Sequence, residues 1–104
     1  MPYFLIERNF AEKLEADRDV AAQVNQINAD AGVQWLISFL SADQKKSYCL
    51  YEAPNPEAIR EAARRAGLPA DVIIEVTELR RNGEMGAIRP ERFAVTETRS
   101  APHP

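Results

Sequence analysis

The sequence predicts one α+β domain in which a four-stranded antiparallel sheet carries two helices on one face. Apolar segments with strand or helical character follow one another in the order strand, helix, strand, strand, helix, strand. Gly32 and the run Gly67-Leu68-Pro69 are stop signals between these segments. A length of 104 residues is enough for one domain with an adequate core.

The N-terminal part supplies the first strand and the first helix. Residues 3–8 (YFLIER) are an aromatic and branched run, which is typical of a strand. A polar connection over residues 9–19 follows, and either Asp17 or Asp19 is suited to cap the helix after it. This helix turns one apolar stripe toward the sheet, and Gly32 ends it. The stripe consists of Val20, Val24, Ile27 and Ala31.

The central part supplies a hairpin, the second helix and the last strand. Asn55 and Pro56 fit the N-cap and first position of a helix on which Glu61 pairs with Arg64 or Arg65. The predicted elements are strand two at 35–40, a turn at 41–46, strand three at 47–52, helix two at 56–66 and strand four at 72–79. The order βαββαβ is that of the ferredoxin-like fold.

We expect two regions of different character. The ferredoxin-like α+β domain covers residues 1–80. Residues 81–104 contain glycines and prolines and form a C-terminal extension that is partly disordered, with a short edge strand at 94–98.

The face of the sheet without helices, which we call the open face, is also predicted to be apolar. In strand two, Trp35, Ile37 and Phe39 point to one side, and Leu36 and Leu40 point to the other. Because an apolar sheet face rarely stays exposed, we expect a second copy to cover it in a barrel-like homodimer. The alternative cover is the C-terminal segment, whose apolar residues are Ile88, Phe93 and Val95.

Composition and charge exclude several classes of function. The formal net charge of −3 argues against a nucleic-acid partner, because such proteins present basic surfaces. No apolar run approaches the roughly 18 residues of a membrane span, and the N-terminus lacks the pattern of a signal peptide. The single Cys49 forms no intramolecular disulfide and fits a reducing compartment. The sequence therefore predicts a cytoplasmic protein without a membrane partner.

Several segments resemble one known family. They are the start MPYFLIER, the strands GVQWLISFLSAD and SYCLYEAP, and the helix PEAIREAARRAGLPAD, which together cover most of the chain. They resemble the small bacterial nickel-binding family of ferredoxin-like proteins, formerly a domain of unknown function. The resemblance implies a ferredoxin-like fold, a dimer and, in at least one branch of the family, bound nickel.

The sequence departs from the metal-binding branch at two positions. Members of that branch tend to carry histidine where this chain has Ile37 in strand two and Ala62 in helix two. Nickel favours imidazole nitrogen as a ligand. The only histidine is His103, in a C-terminal tail flanked by prolines. We therefore expect the fold and the dimer to follow the family and nickel binding to be weak or lost.

Seven residues are candidates for lining a pocket: Glu7, Trp35, Tyr48, Cys49, Tyr51, Glu52 and Glu75. Trp35, Tyr48 and Tyr51 line a pocket between two sheets, or they pack in the core or at the dimer interface. Cys49 is expected to be a small buried hydrophobe, because no nearby histidine or electropositive setting is visible to activate a thiolate. Glu52 ends strand three. Glu7 and Glu75 form a carboxylate pair for a cation or for acid–base work, or they are solvated at the sheet edge or pair with Arg8 or Arg80.

The leading interpretation is a small dimeric binding or stress-associated module related to nickel-binding proteins. Its expected partners are a second copy of itself and a metal ion or small molecule. The alternatives are an interaction protein without a ligand and a cofactor-independent enzyme, similar to monooxygenases or isomerases, with its pocket on the open face. The lack of an internal histidine weighs against an enzyme, because acid–base catalysis near neutral pH most often uses histidine.

Overall fold

The chain folds as a βαββαβ domain in the order that the sequence predicts. The computed structural model describes residues 1–15 and 17–93. The main elements are β1 (Tyr3–Asn9), α1 (Arg18–Ala31), β2 (Gln34–Leu40), β3 (Lys46–Glu52), α2 (Pro56–Ala66) and β4 (Val72–Val76). The strands form one antiparallel sheet in the order β2-β3-β1-β4. This arrangement confirms the α+β fold of ferredoxin-like type.

The core lies between the two helices and one face of the sheet, which we call the helix face. Alternate residues of β1 and β3 point into it, because successive side chains of a strand point to opposite faces. Ile6 of β1 and Ile59 of α2 are fully buried in the same apolar cluster. The other buried residues of this cluster are Phe4, Val33, Cys49, Tyr51, Ala53 and Ala62. The two central strands therefore supply most of what the sheet contributes to the core.

The helix α1 has the predicted ends but packs loosely. The Asp17 carboxylate accepts a hydrogen bond of 2.9 Å from the Val20 N–H, so Asp17 is the N-cap. Gly32 ends the helix with φ of 78°, a left-handed conformation that favours glycine. Val20, at the start of the predicted apolar stripe, is 43% exposed. The one buried residue of α1 is polar, Asn28.

The helix α2 also begins and ends where the sequence predicts. Asn55 accepts a hydrogen bond of 2.9 Å from the Ala58 N–H and thereby caps the first turn. The Glu61 carboxylate accepts from Arg64 at 2.6 Å and from Arg65 at 2.7 Å, so both predicted pairs form. These pairs are exposed to solvent, so they add little to the stability of the fold.

Replacing Asn55 by alanine is expected to lower the free energy of unfolding by about 1 kcal/mol, because the Ala58 N–H loses its acceptor at the helix start. Asn55 is exposed, so no packing is lost with it. Urea denaturation measures the change. Asn25→Ala on the exposed side of α1 is the control, since it removes no cap. A loss at position 55 no larger than at position 25 would show that the cap contributes nothing.

A β-bulge in β2 changes which side chains share a face. The pairing register shifts between Trp35 and Ile37, so Leu36 is an extra residue in this strand. Trp35 lies opposite Tyr51 on the helix face, whereas Ile37 and Phe39 lie on the open face. The prediction that Trp35 shares a face with Ile37 and Phe39 is therefore wrong, because the extra residue reverses the alternation of side chains.

The fourth strand ends earlier than predicted. Its last residue, Val76, lies opposite Tyr3, which is the first residue of β1. Beyond this point β1 offers no backbone groups for pairing, so the predicted strand over residues 72–79 is too long. Thr77 leaves the sheet, and Glu78 and Leu79 pair with Gly86 and Met85 instead.

The chain after β4 folds back toward β2. Strands β5 (Glu78–Leu79) and β6 (Met85–Gly86) form a hairpin whose turn contains Gly83 at φ of 92°. A 3₁₀ turn, Pro90–Phe93, then contacts β2 and borders a groove with Gln34, Leu36 and Glu52. This segment therefore covers one end of the open face. The predicted edge strand at 94–98 and the contribution of Val95 lie outside the described residues.

The rest of the open face is left uncovered by residues 1–15 and 17–93. Phe39 is 61% exposed, Ile74 is 53% exposed and Val72 is 40% exposed. The described part of the C-terminal segment, which ends at Phe93, is thus an incomplete cover for the apolar face. Within residues 1–15 and 17–93, no helix has the length and hydropathy needed to span a bilayer.

Candidate binding site

A cavity of about 200 Å³ lies between α1 and the helix face of the sheet. It exists because the first turns of α1 do not pack tightly on the sheet, as the exposure of Val20 shows. Most of its wall is apolar and comes from α1, β2 and the connection between β1 and α1. The main apolar side chains are Phe10, Leu14, Val20, Val24, Trp35 and Leu40.

A buried guanidinium group borders this cavity. Arg8 follows Ile6 on the inward side of β1, and only 3% of Arg8 is exposed. Its Nη1 donates to the Pro69 carbonyl at 2.5 Å, and its Nη2 donates to the Tyr51 hydroxyl at 3.4 Å. The guanidinium carbon lies 5.8 Å from the centre of the Tyr51 ring. Among the described residues, no carboxylate forms an ion pair with Arg8.

The Tyr51 hydroxyl joins the polar side chains of the cavity. Its oxygen accepts from Arg8 and from Asn28 Nδ2, in both cases at 3.4 Å. Burial raises the pKa of Tyr51 above its ordinary value, although the Arg8 charge acts in the opposite direction. The phenol therefore stays protonated near neutral pH. Since its oxygen accepts both bonds, its O–H can donate to a further acceptor.

Four small or aromatic side chains complete the polar part of the wall. Ser47 and Cys49 are both buried, and their side-chain oxygen and sulfur lie 3.6 Å apart. The Trp35 indole N–H donates to the Ser38 hydroxyl at 2.8 Å, so the indole is satisfied within the wall. The burial of Cys49 at 6% exposure agrees with its expected role as a small buried side chain.

The structure brings three of the seven candidate residues together. Trp35, Cys49 and Tyr51 border the cavity. Tyr48 lies on the open face, opposite Glu7 and Phe39. The prediction of a pocket shared by Trp35, Tyr48 and Tyr51 is therefore wrong. Tyr48 and Tyr51 are three positions apart in one strand, and an odd separation places them on opposite faces.

The predicted carboxylate pair of Glu7 and Glu75 does not form. Strands β1 and β4 are neighbours, but Glu7 lies opposite Val72 and Glu75 lies opposite Phe4. Phe4 and Glu7 are three positions apart in β1, so the two carboxylates occupy opposite faces of the sheet. The nearest cation to Glu7 is instead Lys46, whose Nζ lies 3.7 Å from the carboxylate.

Glu52 lies on the open face at the end covered by the C-terminal segment. Its carboxylate is 3.8 Å from the amino group of Met1. Partial burial and the Glu52 charge raise the pKa of Tyr3, and Glu91 of the 3₁₀ turn adds a smaller effect in the same direction. Glu52 is therefore part of the contact between β3, the N-terminus and the returning chain, on the opposite side of the sheet from the cavity.

The sequence predictions did not identify two polar residues of the cavity region: Asn28 was not named, and Arg8 was named only as a partner of Glu7 or Glu75. Arg8 comes two positions after Ile6 in β1, and this alternation is a sufficient signal that Arg8 points inward. Asn28 comes four positions after Val24, on the side of α1 that faces the sheet. No pattern in the sequence predicts that Arg8 and Asn28 both contact the Tyr51 hydroxyl, because this contact depends on how α1 packs on the sheet.

The two positions at which the metal-binding branch carries histidine lie on opposite sides of the sheet. Ile37 is on the open face, opposite Leu50. Ala62 is 3% exposed and belongs to the core under the helix face. In the part of the chain that the structure describes, no group of three His, Cys, Asp or Glu residues is placed to hold a metal ion. His103 lies outside the described residues.

Comparisons with known proteins agree with the fold. The crystal structure of SCO4226 from Streptomyces coelicolor A3(2) is similar, with a TM-score of 0.57 and 27% sequence identity. The similarity covers 71% of this chain and 94% of that chain. Among curated proteins, no sequence matches significantly. The family model of the nickel responsive proteins similar to SCO4226 matches residues 4–76, well over half of the chain. The chain therefore belongs to the SCO4226-like family of nickel-responsive proteins.

Proposed function

We propose that the protein is a small cytoplasmic, homodimeric binding module of the SCO4226-like family in which nickel binding is weak. The family match supports a nickel-related binding protein. The observation that supports weak binding is the donor set: in the described part of the chain no group of three His, Cys, Asp or Glu residues is placed to hold a metal ion, and Ile37 and Ala62 offer no imidazole. A reducing, cytoplasmic location fits the single cysteine of the chain.

The donors that remain are a poor set for nickel. Glu7 and Glu52 lie on the open face but apart from each other, since Glu52 is opposite Tyr3 and Glu7 is opposite Tyr48. Cys49 lies on the helix face and is 6% exposed, so its sulfur is poorly accessible to an ion. Carboxylate oxygens alone suit harder ions such as magnesium or manganese. These side chains therefore do not fit a nickel centre within one chain.

A second copy of this chain is the proposed cover of the open face. Phe39, Val72 and Ile74 are exposed there, and Leu5 and Ile37 share the same face. Up to Phe93, the returning C-terminal segment covers only the end near Glu52. Contiguous exposed apolar patches mark interaction surfaces. A two-fold axis would place this patch against its own copy, which buries the same residues on both chains.

The cavity on the helix face supports binding more than catalysis. Its polar groups include the guanidinium of Arg8 and the hydroxyls of Ser47 and Tyr51. Burial raises the pKa of Tyr51, which suits hydrogen-bond donation rather than proton abstraction near neutral pH. The alternative of a cofactor-independent enzyme requires a pocket on the open face, which is the face proposed for the dimer.

Nickel titrated into the untagged protein is expected to give a dissociation constant at or above about 0.1 mM, as scattered carboxylates and one histidine would. Isothermal calorimetry measures it, and the tag must be absent because polyhistidine binds nickel. The variant Ile37→His with Ala62→His is expected to gain no tight site, because the sheet separates the two positions. Tight, stoichiometric nickel binding by the unaltered protein would contradict the proposal.

A further inference from the structure

We propose that the cavity between α1 and the sheet binds a small monocarboxylate with an apolar body, and that the carboxylate pairs with Arg8. This site lies on the opposite side of the sheet from the proposed dimer face, and it requires no metal. It assigns a ligand class to the protein beyond the nickel response of the family.

The buried guanidinium is the first reason. Arginine is almost never fully buried unless it is paired, because a buried charge without a counter-charge is costly. Arg8 is 3% exposed, and its two acceptors, the Pro69 carbonyl and the Tyr51 hydroxyl, are neutral. A guanidinium has five N–H donors, so donors remain for a ligand. The planar fork of arginine matches the two oxygens of a carboxylate.

The Tyr51 hydroxyl supplies a second donor at the same place. Its oxygen accepts from Arg8 and from Asn28, which leaves its O–H to donate to a ligand. A carboxylate oxygen within reach of both Arg8 and Tyr51 would receive a charge-assisted bond and a neutral bond. The polar groups of the cavity therefore offer donors to an anion rather than acceptors to a cation.

The apolar walls of the cavity determine which chemical group the ligand can have besides its carboxylate. Leu14, Val24 and Trp35 line the cavity, so a strongly hydrated inorganic anion would lose water without gaining polar partners there. An apolar body gains from the same walls. The volume of about 200 Å³ is somewhat above the roughly 150 Å³ of a cavity that accepts benzene and below the range of drug-sized pockets. One aromatic ring or a short alkyl chain fits this space.

An entrance is visible at the rim. Val20 and Leu40 border the cavity from α1 and β2, and they are 43% and 42% exposed. A ligand can therefore enter between the first turn of α1 and the end of β2 without opening the core. The polar cluster around Arg8 lies away from bulk water, as its burial shows.

The test compares phenylacetate with phenylacetamide, which have nearly the same shape but differ in charge. Trp35 is the only tryptophan and borders the cavity, so its fluorescence reports binding. Phenylacetate is expected to change the fluorescence saturably and to bind at least about tenfold more tightly than phenylacetamide, because only the anion pairs with Arg8. Equal affinity for the two compounds, or no saturable change with phenylacetate, would overturn the proposal.

Variants of α1 separate this site from binding elsewhere. Ala21 borders the cavity and Ala22 is exposed on the same helix, so Ala21→Leu fills the space and Ala22→Leu does not. Phenylacetate affinity is expected to fall at least about tenfold in Ala21→Leu, because the added side chain takes the volume of the ligand, and to stay unchanged in Ala22→Leu. Unchanged affinity in Ala21→Leu would place the ligand outside the cavity and overturn the proposal.

Arg8→Met tests the guanidinium directly. It is expected to remove the preference for phenylacetate over phenylacetamide while keeping an apolar side chain of similar length. A preference that persists in folded Arg8→Met would overturn the pairing with Arg8. If this variant does not fold, since Arg8 also holds the Pro69 carbonyl, the pair of compounds and the two α1 variants still decide the outcome.

Discussion

Replacing Ile74 by lysine is expected to convert the protein from a dimer into a monomer. Ile74 is 53% exposed on the open face and lies between Val72 and Val76 on the same side of β4. In the proposed dimer this side chain is buried against the second copy, and an ammonium group there would be buried without a partner. Because a two-fold interface contains each position twice, one substitution places two charges in it.

Light scattering after gel filtration is the measurement. The unaltered protein is expected at about twice 11.7 kDa and Ile74→Lys at about 11.7 kDa. Ala22→Lys is the matched control, since Ala22 is exposed on α1, on the other side of the sheet, and this variant should remain dimeric. A monomeric unaltered protein at micromolar concentrations would refute the dimer.

Replacing Ile59 by alanine is expected to lower the free energy of unfolding by about 2–5 kcal/mol. Ile59 has no exposed surface and belongs to the cluster that joins α2 to the helix face. The loss has two causes, the removal of buried apolar surface and the cavity that stays behind when the neighbours relax incompletely. For a domain of this size, a loss of about 3 kcal/mol lowers the melting temperature by more than about 10 °C.

Leu79→Ala is the control for the core prediction. Leu79 lies in the β5–β6 hairpin and is 71% exposed, so its truncation should cost less than about 0.5 kcal/mol. Both variants must be compared at one protein concentration, because the stability of a dimer depends on concentration. A similar small loss at both positions would show that α2 is not held to the sheet through Ile59.

The sheet separates the two proposed binding surfaces. The dimer uses the open face through Phe39 and Ile74, whereas the carboxylate site uses the helix face through Arg8 and Tyr51. The Ile74→Lys variant should therefore keep the affinity of the unaltered protein for phenylacetate. The two proposals can fail independently, which allows each experiment to be read on its own.

Elements with local signals were predicted well from the sequence. The caps Asp17 and Asn55 and the terminal glycines Gly32 and Gly67 lie where expected, because capping involves residues within one turn of each other. The order of strands and helices followed from hydrophobic periodicity in the same way. The dipeptide Asn82-Gly83 is an equally local signal for a hairpin turn. The prediction of a fourth strand that extends to residue 79 did not use it.

The candidate site was predicted only in part. Trp35, Cys49 and Tyr51 were named from their residue types, and they border one cavity, but this cavity lies between α1 and the sheet rather than between two sheets. The pairing of Glu7 with Glu75 failed, because proximity of two strands does not determine the register between them. Register depends on which apolar side chains meet across the sheet, and those contacts come from distant parts of the chain.

The sequence by itself determined the βαββαβ order, the ends of both helices and the absence of imidazole at Ile37 and Ala62, because these depend on neighbouring residues or on residue type alone. Only the tertiary structure decided that Leu36 forms a bulge and that β4 ends where its last residue lies opposite the first residue of β1. It also decided that Arg8 meets Tyr51 beside a cavity. These features arise where three elements pack together, and packing is a property of the whole chain rather than of any segment.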